Sequence, residues 1–279
     1  MGFDHMEDRL DDLKFSLKEM KKVAVAFSGG VDSTFLLKVA VDVLGPEDVL
    51  ALTARSQFTT SQEIDTALEM AREIGVEQVV VEIDTLEDGM IKDNPRDRCY
   101  HCKLRIFSTF LKLLDEEYPG YVLVEGTNRD DVREYRPGKR AMEELKVLSP
   151  LADSGLSKDE IRVLSKRLGI SNWSRPSQSC LATRIPYDQE LTEEKLQLIE
   201  KGETYLKELG FKECRLRYHN DIARIEVPKD ELRRILDLSQ GIISKLKELG
   251  FIYITLDMEG LRSGSMDIGH DHACEDRHV

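Results

Sequence analysis

The stretch VAVAFSGGVDSTFLL, residues 23–37, decides the fold. Val23–Phe27 is an unbroken apolar run, the pattern of a strand buried on both faces. It ends in Ser28-Gly29-Gly30-Val31-Asp32-Ser33, and a helical pattern, Thr34–Leu44, begins at once and stops at Gly45-Pro46. In open α/β sheets ligands gather at the carboxyl ends of strands. A strand, a glycine-rich loop and a helix N-terminus in succession surround one anion with backbone N–H groups. Gly29 and Gly30 permit close backbone approach, and Ser28 and Ser33 add hydroxyl donors. The final Gly-Lys-Ser/Thr of a Walker A loop is absent, as is G-x-G-x-x-G. Asp32 is informative, because an acid within an anion loop repels phosphate unless Mg²⁺ or a helix end compensates.

Outward from this stretch, strands and helices alternate. Residues 7–20 read as a charged amphipathic helix, Val49–Thr53 as a second strand, and Ser61–Gly75 as a helix capped by Ser61. Val79–Ile83 reads as a third strand, Leu104–Leu114 as a helix and Tyr121–Glu125 as a fourth strand. This alternation predicts an α/β fold with a parallel sheet covered on both faces. After Pro150 the rhythm changes. Ser157–Leu168 is a helix with Ser157 and Glu160 in capping-box spacing. The irregular stretch NWSRPSQSCLATRIPYDQE (172–190) follows, then a helix over Thr192–Leu209. Arg215–Tyr218 and Ala223–Val227 read as strands joined by His219-Asn220-Asp221. Lys229–Leu238 and Gln240–Leu249 read as helices, and Ile252–Leu256 as a last strand. Two domains are expected: residues 1–175, built on the parallel sheet, and residues 176–279, a smaller α+β unit.

The chain has 279 residues, 41% of them hydrophobic and 33% charged, with a formal net charge of −13. That acidity argues against a general nucleic-acid binder, which carries a basic footprint, yet leaves room for a local basic pocket. There is no apolar run of membrane length. The opening MGFDHMEDRLDDLK lacks the order of a signal peptide, so a cytoplasmic protein is expected.

Two more loops fall at the same edge of the sheet. LTARSQFT (52–59) puts Thr53, Arg55 and Ser56 at the end of the second strand, and EGTNRDD (125–131) puts Gly126, Thr127, Asn128, Asp130 and Asp131 at the end of the fourth. Thr53 and Gly126 are candidates for adenine or ribose contact, and the acids for Mg²⁺. Arginines supply the basic counterpart. Arg215 and Arg217 alternate on one strand, so both can face one anion, and a guanidinium suits bidentate contact with phosphate or carboxylate. Arg136, Arg184 and Arg262 join them as candidates.

Five cysteines, an odd number without a secretory signal, do not suggest a disulfide framework. Cys99-x-x-Cys102 suits Zn²⁺, an iron–sulfur cluster or a redox dithiol. Cys180 lies in the polar segment PSQSCLATRIPY (176–187), where Arg175 and Arg184 would favour thiolate. Cys214 reads as a packing residue, and His270, His272, Cys274 and His278 as a loose tail.

SGGVDS (28–33) resembles the signature of the PP-loop ATP pyrophosphatases, in the adenine nucleotide alpha hydrolase-like fold. RCYHCK (98–103), EGTNRDD, YRPGKRA (135–141), SPLADSGLSKDEIR (149–162), PSQSCLATRIPY, ARIEVP (223–228) and LRSGSMD (261–267) follow in order. Together they resemble the ATP-dependent sulfur transferases of the LarE type over residues 22–267. The resemblance implies that Ser28, Gly29, Gly30, Asp32 and Ser33 bind the pyrophosphate part of ATP with Mg²⁺, and that Thr53, Arg55, Gly126, Thr127 and Asp131 complete the nucleotide site. It implies a small-molecule substrate, a pyridinium dicarboxylic acid mononucleotide. Its carboxylates are adenylylated and become thiocarboxylates for a nickel-pincer nucleotide. Arg136, Arg184, Arg215, Arg217, Arg262 and Glu226 would line the substrate pocket, with Glu203 a further candidate. Cys180 matches the sulfur-bearing cysteine, and with Cys99 and Cys102 it would ligate a [4Fe–4S] cluster. A sulfide donor and a homo-oligomer are implied as partners, with neither membrane nor nucleic acid. The alternatives are a PP-loop tRNA thiolase, which the charge disfavours, and a non-catalytic metal carrier. A glutamine-dependent amidotransferase would need a glutaminase domain, which the sequence does not show.

Overall fold

The computed structural model describes residues 2–132, 137–176, 178–262 and 264–266. Arg136 and the tail with His270, His272, Cys274 and His278 lie outside the described residues. The chain divides into two compact units, residues 1–91 with 96–178 and residues 92–95 with 179–279.

The first unit is built on a sheet of four parallel strands, β1 (Val23–Ala26), β2 (Val49–Arg55), β3 (Glu77–Glu82) and β4 (Val122–Val124), in the order β3-β2-β1-β4. The valine–alanine alternation of β1 follows from its neighbours. Val23 and Val25 share one core with Val49 and Ala51 of β2 and with helices α1 (Gly2–Met20), α2 (Val31–Leu44) and α3 (Ser61–Ile74). Ala24 turns to the opposite core, where Leu50, Leu52 and Leu123 fill the space around it. Both faces of the sheet are thus covered, as a parallel sheet requires. Each fully buried Leu or Phe contributes about 1.5–3 kcal/mol.

The remaining helices of this part of the chain are α4 (Gly89–Lys92), α5 (Arg98–Glu117), α6 (Arg129–Val132), α7 (Pro137–Glu144), α8 (Pro150–Asp153) and α9 (Lys158–Arg167). Helix α5 begins six residues before the expected Leu104, so Cys99 and Cys102 lie on its first turn. Phe107, Phe110 and Leu114 of α5 pack in the core beside Ala24. Helix α3 is capped by Thr60, not by Ser61. Thr60 is extended at φ −72°, ψ 152°, and its hydroxyl accepts from the Glu63 N–H while Glu63 accepts from the Thr60 N–H. The expected box at Ser157 and Glu160 is present on α9.

The strand order positions the site. The chain runs from central β1 outward through β2 and β3, then returns to the other side of β1 for β4. The order reverses between β1 and β4, and the crevice at their carboxyl ends is the ligand position of an open α/β sheet.

The second unit carries a sheet of β5 (Arg215–His219), β6 (Ile222–Glu226) and β7 (Tyr253–Leu256), with β5 and β6 antiparallel and β6 and β7 parallel. Asn220 makes the β5–β6 turn at φ 55°. Leu216, Ala223 and Ile225 face the helices α10 (Glu193–Glu208), α11 (Leu232–Asp237) and α12 (Ser239–Glu248), joining Leu206, Ile235, Ile242 and Leu246 in one core. Gly202 lets α10 lie against β5, because a Cβ there would stand 2.3 Å from Leu216 Cδ2. The opposite face of the sheet carries Arg215, Arg217, Arg224 and Glu226. Pro228 is followed by a 3₁₀ turn, Lys229–Glu231, so the expected helix over Lys229–Leu238 is α-helical only in α11.

Thr60→Ala removes one half of the α3 capping box and is expected to lower unfolding free energy by about 1 kcal/mol. Urea denaturation measures it, and Glu63→Ala in the same background should add little further loss, since the two bonds form as a pair.

Candidate functional site

The nucleotide-type half of the site lies in the first unit. Gly29 sits at φ +70°, and a Cβ on it would come within 2.9 Å of the Ala67 backbone, so the loop packs directly on α3. Ser28 and Ser33 hydroxyls lie 3.2 Å apart, and Ser28 Oγ accepts from the Gly30 N–H at 3.3 Å. The Ser33 and Thr34 hydroxyls both donate to the Gly30 carbonyl, at 3.2 and 2.7 Å. Across the switch point, Gly126 approaches the start of α2 so closely that a Cβ would stand 3.0 Å from the Ser33 nitrogen. The first N–H groups of α2 lack intrahelical partners, as in every helix, and favour an anion.

Asp32 occupies the first turn of α2. Burial pushes its carboxyl above the ordinary value of 3.8, and Asp131 adds to this, while Lys158, a hydrogen bond from Asn128 and Arg162 oppose it. Asn128 Nδ2 donates to Asp32 Oδ2 at 3.4 Å, whereas Asp32 Oδ1 is buried without a hydrogen-bond partner. A buried carboxylate oxygen lacking a donor suits a hard cation such as Mg²⁺, which takes one or two carboxylates together with phosphate oxygens and water.

Sequence reading placed Asn128 at this edge without a role and missed Lys158 and Arg162. Asn128 is fully buried and organises its loop, its Oδ1 accepting from the Asp130 and Asp131 N–H groups at 2.9 and 3.2 Å. Lys158 and Arg162, whose charges reach Asp32, stand four apart on α9. That i, i+4 spacing was visible, but nothing in the sequence said which face of α9 meets the loop. Two expected nucleotide contacts have partners within the protein. The buried Thr53 hydroxyl donates to the Phe27 carbonyl at 2.8 Å and accepts from Gln78 at 2.7 Å, tying β2 to the base of the loop. Arg55 pairs with Glu82, its cross-strand partner on β3, in an exposed contact of 2.7 Å. Thr127 donates through both its N–H and its hydroxyl to buried Glu125, which also accepts from Ser149.

Cys99 and Cys102, three apart on one face of α5, are both half-buried. Arg98, 2% exposed, donates to the Cys99 sulfur at 3.7 Å. Among the described residues no three His, Cys, Asp or Glu side chains come together as a metal-ligand set.

In the second unit Cys180 is half-buried and heads the 3₁₀ turn Leu181–Arg184. Its carbonyl accepts from the Thr183 N–H and hydroxyl, at 3.0 and 2.8 Å, and from Arg184 at 3.3 Å. Arg184 also donates to the Ser179 carbonyl and hydroxyl, both at 2.8 Å, while its Nε and Nη2 form a fork on buried Glu203. Arg217 donates to the Thr183 carbonyl at 2.8 Å, pairs with Glu226, and reaches the Ser265 hydroxyl. Glu226 in turn accepts from Ser265 and Arg224. Arg184 and Arg217, expected in the substrate pocket, are therefore engaged in shaping the Cys180 turn, and Glu226 is an internal counterion. Arg262 pairs with Asp257 and Glu259. Arg215 differs. Among the described residues it has no carboxylate at ion-pair distance, donating only to the Arg262 carbonyl at 3.5 Å. Burial, Arg217 and Arg184 all work against its charge, which an added anion would relieve. Cys214 is inert: burial pushes its thiol up to about 12.

A carboxyl held above its ordinary pKa opposes folding only when ionised. The Asp32 penalty is therefore absent below about pH 3.8 and sets in as pH rises through the folded-state value. Asp32→Asn is expected to raise the melting temperature of the protein at pH 7, a gain that shrinks toward acid pH. Calorimetric melts across pH measure it.

The NAD synthase family model matches residues 5–98, which hold the glycine-serine loop. A Synechocystis sp. protein of uncharacterised function is 38% identical over 264 residues, 94% of this chain and 98% of that protein. The pyridinium-3,5-bisthiocarboxylic acid mononucleotide synthase of Lactiplantibacillus plantarum is 38% identical over 252 residues, covering 90% of this chain and 91% of its own. An uncharacterised protein of Methanocaldococcus jannaschii is 33% identical over 258 residues, 91% of this chain and 98% of that protein.

Proposed function

The chain belongs to the family of LarE-type ATP-dependent sulfur transferases, with the L. plantarum synthase among its relatives, and from this we propose that it adenylylates the carboxylates of a pyridinium dicarboxylate mononucleotide and converts them to thiocarboxylates. The observation that carries the proposal is the Ser28–Ser33 loop at the β1–β4 switch point, with a buried, partnerless Asp32 oxygen beside it. The loop N–H groups would hold the β- and γ-phosphates, and Asp32 would hold Mg²⁺ against them. A substrate carboxylate oxygen attacks the α-phosphorus, the bond to the β-phosphate bridge breaks, and pyrophosphate leaves. The resulting acyl-adenylate has a carbon open to attack, because AMP is a far better leaving group than oxide. A sulfur nucleophile forms the C–S bond as the C–O bond to AMP breaks.

Cys99, Cys102 and Cys180 would hold a [4Fe–4S] cluster, which when bound would supply sulfide to that step. The paired half-buried thiols on one face of α5 support this, since three thiolates leave one iron of a cubane unligated by protein, a soft site for a soft ligand. Arg184 and Arg217 keep the Cys180 turn in one conformation. Arg215, without a carboxylate partner among the described residues, would hold the substrate's phosphate or carboxylate. An external sulfide donor would replenish the site. The enzyme would work in the cytoplasm as a homo-oligomer.

Anaerobic reconstitution is expected to give about four irons per chain. Iron-free, colourless protein that transfers a single sulfur from Cys180 and is left with dehydroalanine there would overturn the cluster assignment. Arg215→Ala is expected to weaken mononucleotide binding about tenfold or more, the scale of a lost charge-assisted contact, and to leave ATP binding nearly unchanged. Titration calorimetry with each ligand decides it, and equal loss of both counts against the assignment.

A further inference from the structure

Asn172 is distant in sequence from the glycine-serine loop yet bonded to it. Its Nδ2 donates to the Gly29 carbonyl at 2.9 Å and to Thr34 Oγ1 at 3.0 Å. The Thr34 hydroxyl passes the contact on, donating to the Gly30 carbonyl at 2.7 Å. The Gly29 carbonyl is thus held by the Asn172 amide, while the Gly30 carbonyl is also held by the Thr34 N–H at 2.9 Å and by the Ser33 hydroxyl. In a trans peptide the C=O and the next N–H point in opposite directions. Holding the Gly29 carbonyl therefore turns the Gly30 N–H the other way, toward Ser28 Oγ. Holding the Gly30 carbonyl does the same for Val31, whose N–H opens α2.

The turn that carries Asn172 is itself anchored. Ile170 is buried in the core, and the Ser171 hydroxyl donates to Glu73 of α3 at 2.8 Å. The Arg175 N–H donates to the Asn172 carbonyl at 2.9 Å. Helix α3 is also the surface on which Gly29 rests. The turn and α3 thus form one support behind the loop. Glycine-glycine is the most permissive backbone pair a loop can have, and left alone its peptides could present either carbonyls or N–H groups to a ligand.

We propose that Asn172 is a positioning residue of the nucleotide loop: steadied by Thr34, its amide holds the Gly29 carbonyl aside so that the following N–H groups meet the polyphosphate. It touches neither substrate nor reacting atoms. The inference rests on the reading of this loop as the ATP site.

Equilibrium binding of ATP and of AMP, which lacks the β- and γ-phosphates, tests it in the full chain. Asn172→Ala should weaken ATP binding about three- to tenfold, the scale of a lost neutral hydrogen bond, with AMP within about twofold of wild type on the same scale. Asn172→Asp keeps the shape but turns a carboxylate on the two oxygens, and should bind ATP more weakly than Asn172→Ala. Thr34→Ser should bind ATP as Thr34 does, and Thr34→Val, which removes one of the two contacts of the Asn172 amide, should weaken ATP binding less than Asn172→Ala but again more than AMP binding; this pair carries the test if the Asn172 variants fail to fold. Equal loss of ATP and AMP, or an Asn172→Asp protein with wild-type ATP affinity, overturns the inference and leaves the site assignment standing. Wild-type protein that binds neither nucleotide overturns both.

Discussion

The Arg217 guanidinium is 2% exposed, and its partner Glu226 is fully buried. Taking two such charges from water carries an effective penalty of several kcal/mol per ion, and deleting one partner of a buried pair costs about 3–5 kcal/mol. That penalty constrains everything nearby, because each remaining donor and acceptor must find a partner. Arg217 finds the Thr183 carbonyl and the Ser265 hydroxyl. Glu226 finds Arg224 and Ser265. Arg184 and Glu203 repeat the arrangement next to it, with Glu203 also accepting from the Leu216 N–H at 2.9 Å. The turn that presents Cys180 is therefore set by polar demands as well as by the burial of Leu181, Ala182 and Ile185, while Cys180 itself stays half-buried.

The first unit solves the opposite problem. There an acid, Asp32, is held at the start of a helix within a loop built for anions. Its carboxylate is offset by Lys158, Arg162 and Asn128, and one oxygen is left open. In each unit a polar group without its natural partner, Asp32 Oδ1 in one and the Arg215 guanidinium in the other, marks where a ligand of opposite character would lower the energy.

Most of the first unit could be read from the sequence because its signals are local. An apolar run, a glycine pair and a helical period in VAVAFSGGVDSTFLL specify strand, loop and helix without reference to anything distant. The same holds for the Ser157 capping box. What the sequence did not show is which partner, far along the chain, each polar residue meets. It showed Thr53 but not that Phe27 and Gln78 engage its hydroxyl. It showed Arg184 and Arg217 but not their pairing with Glu203 and Glu226. The early start of α5 was hidden by Asp97, Arg98 and the cysteines, which have no strong helical period, although Arg98 turns out to be buried. Asn172 carried no signal, since nothing local distinguishes an asparagine in a linker from one that holds a glycine carbonyl.

Residues 92–95 belong to the second unit although they lie among residues of the first. Asn94 is fully buried at φ 56°, and its amide donates to the Ile185 and Pro186 carbonyls, 91 and 92 residues later. A ribosome adding about 5–20 residues per second would deliver those carbonyls roughly 5–20 seconds after Asn94 itself. For that interval the nascent parallel-sheet unit holds a loop that cannot settle, and the interruption becomes a clock: the smaller unit gains its early strap only after translation has passed the cysteine-bearing turn.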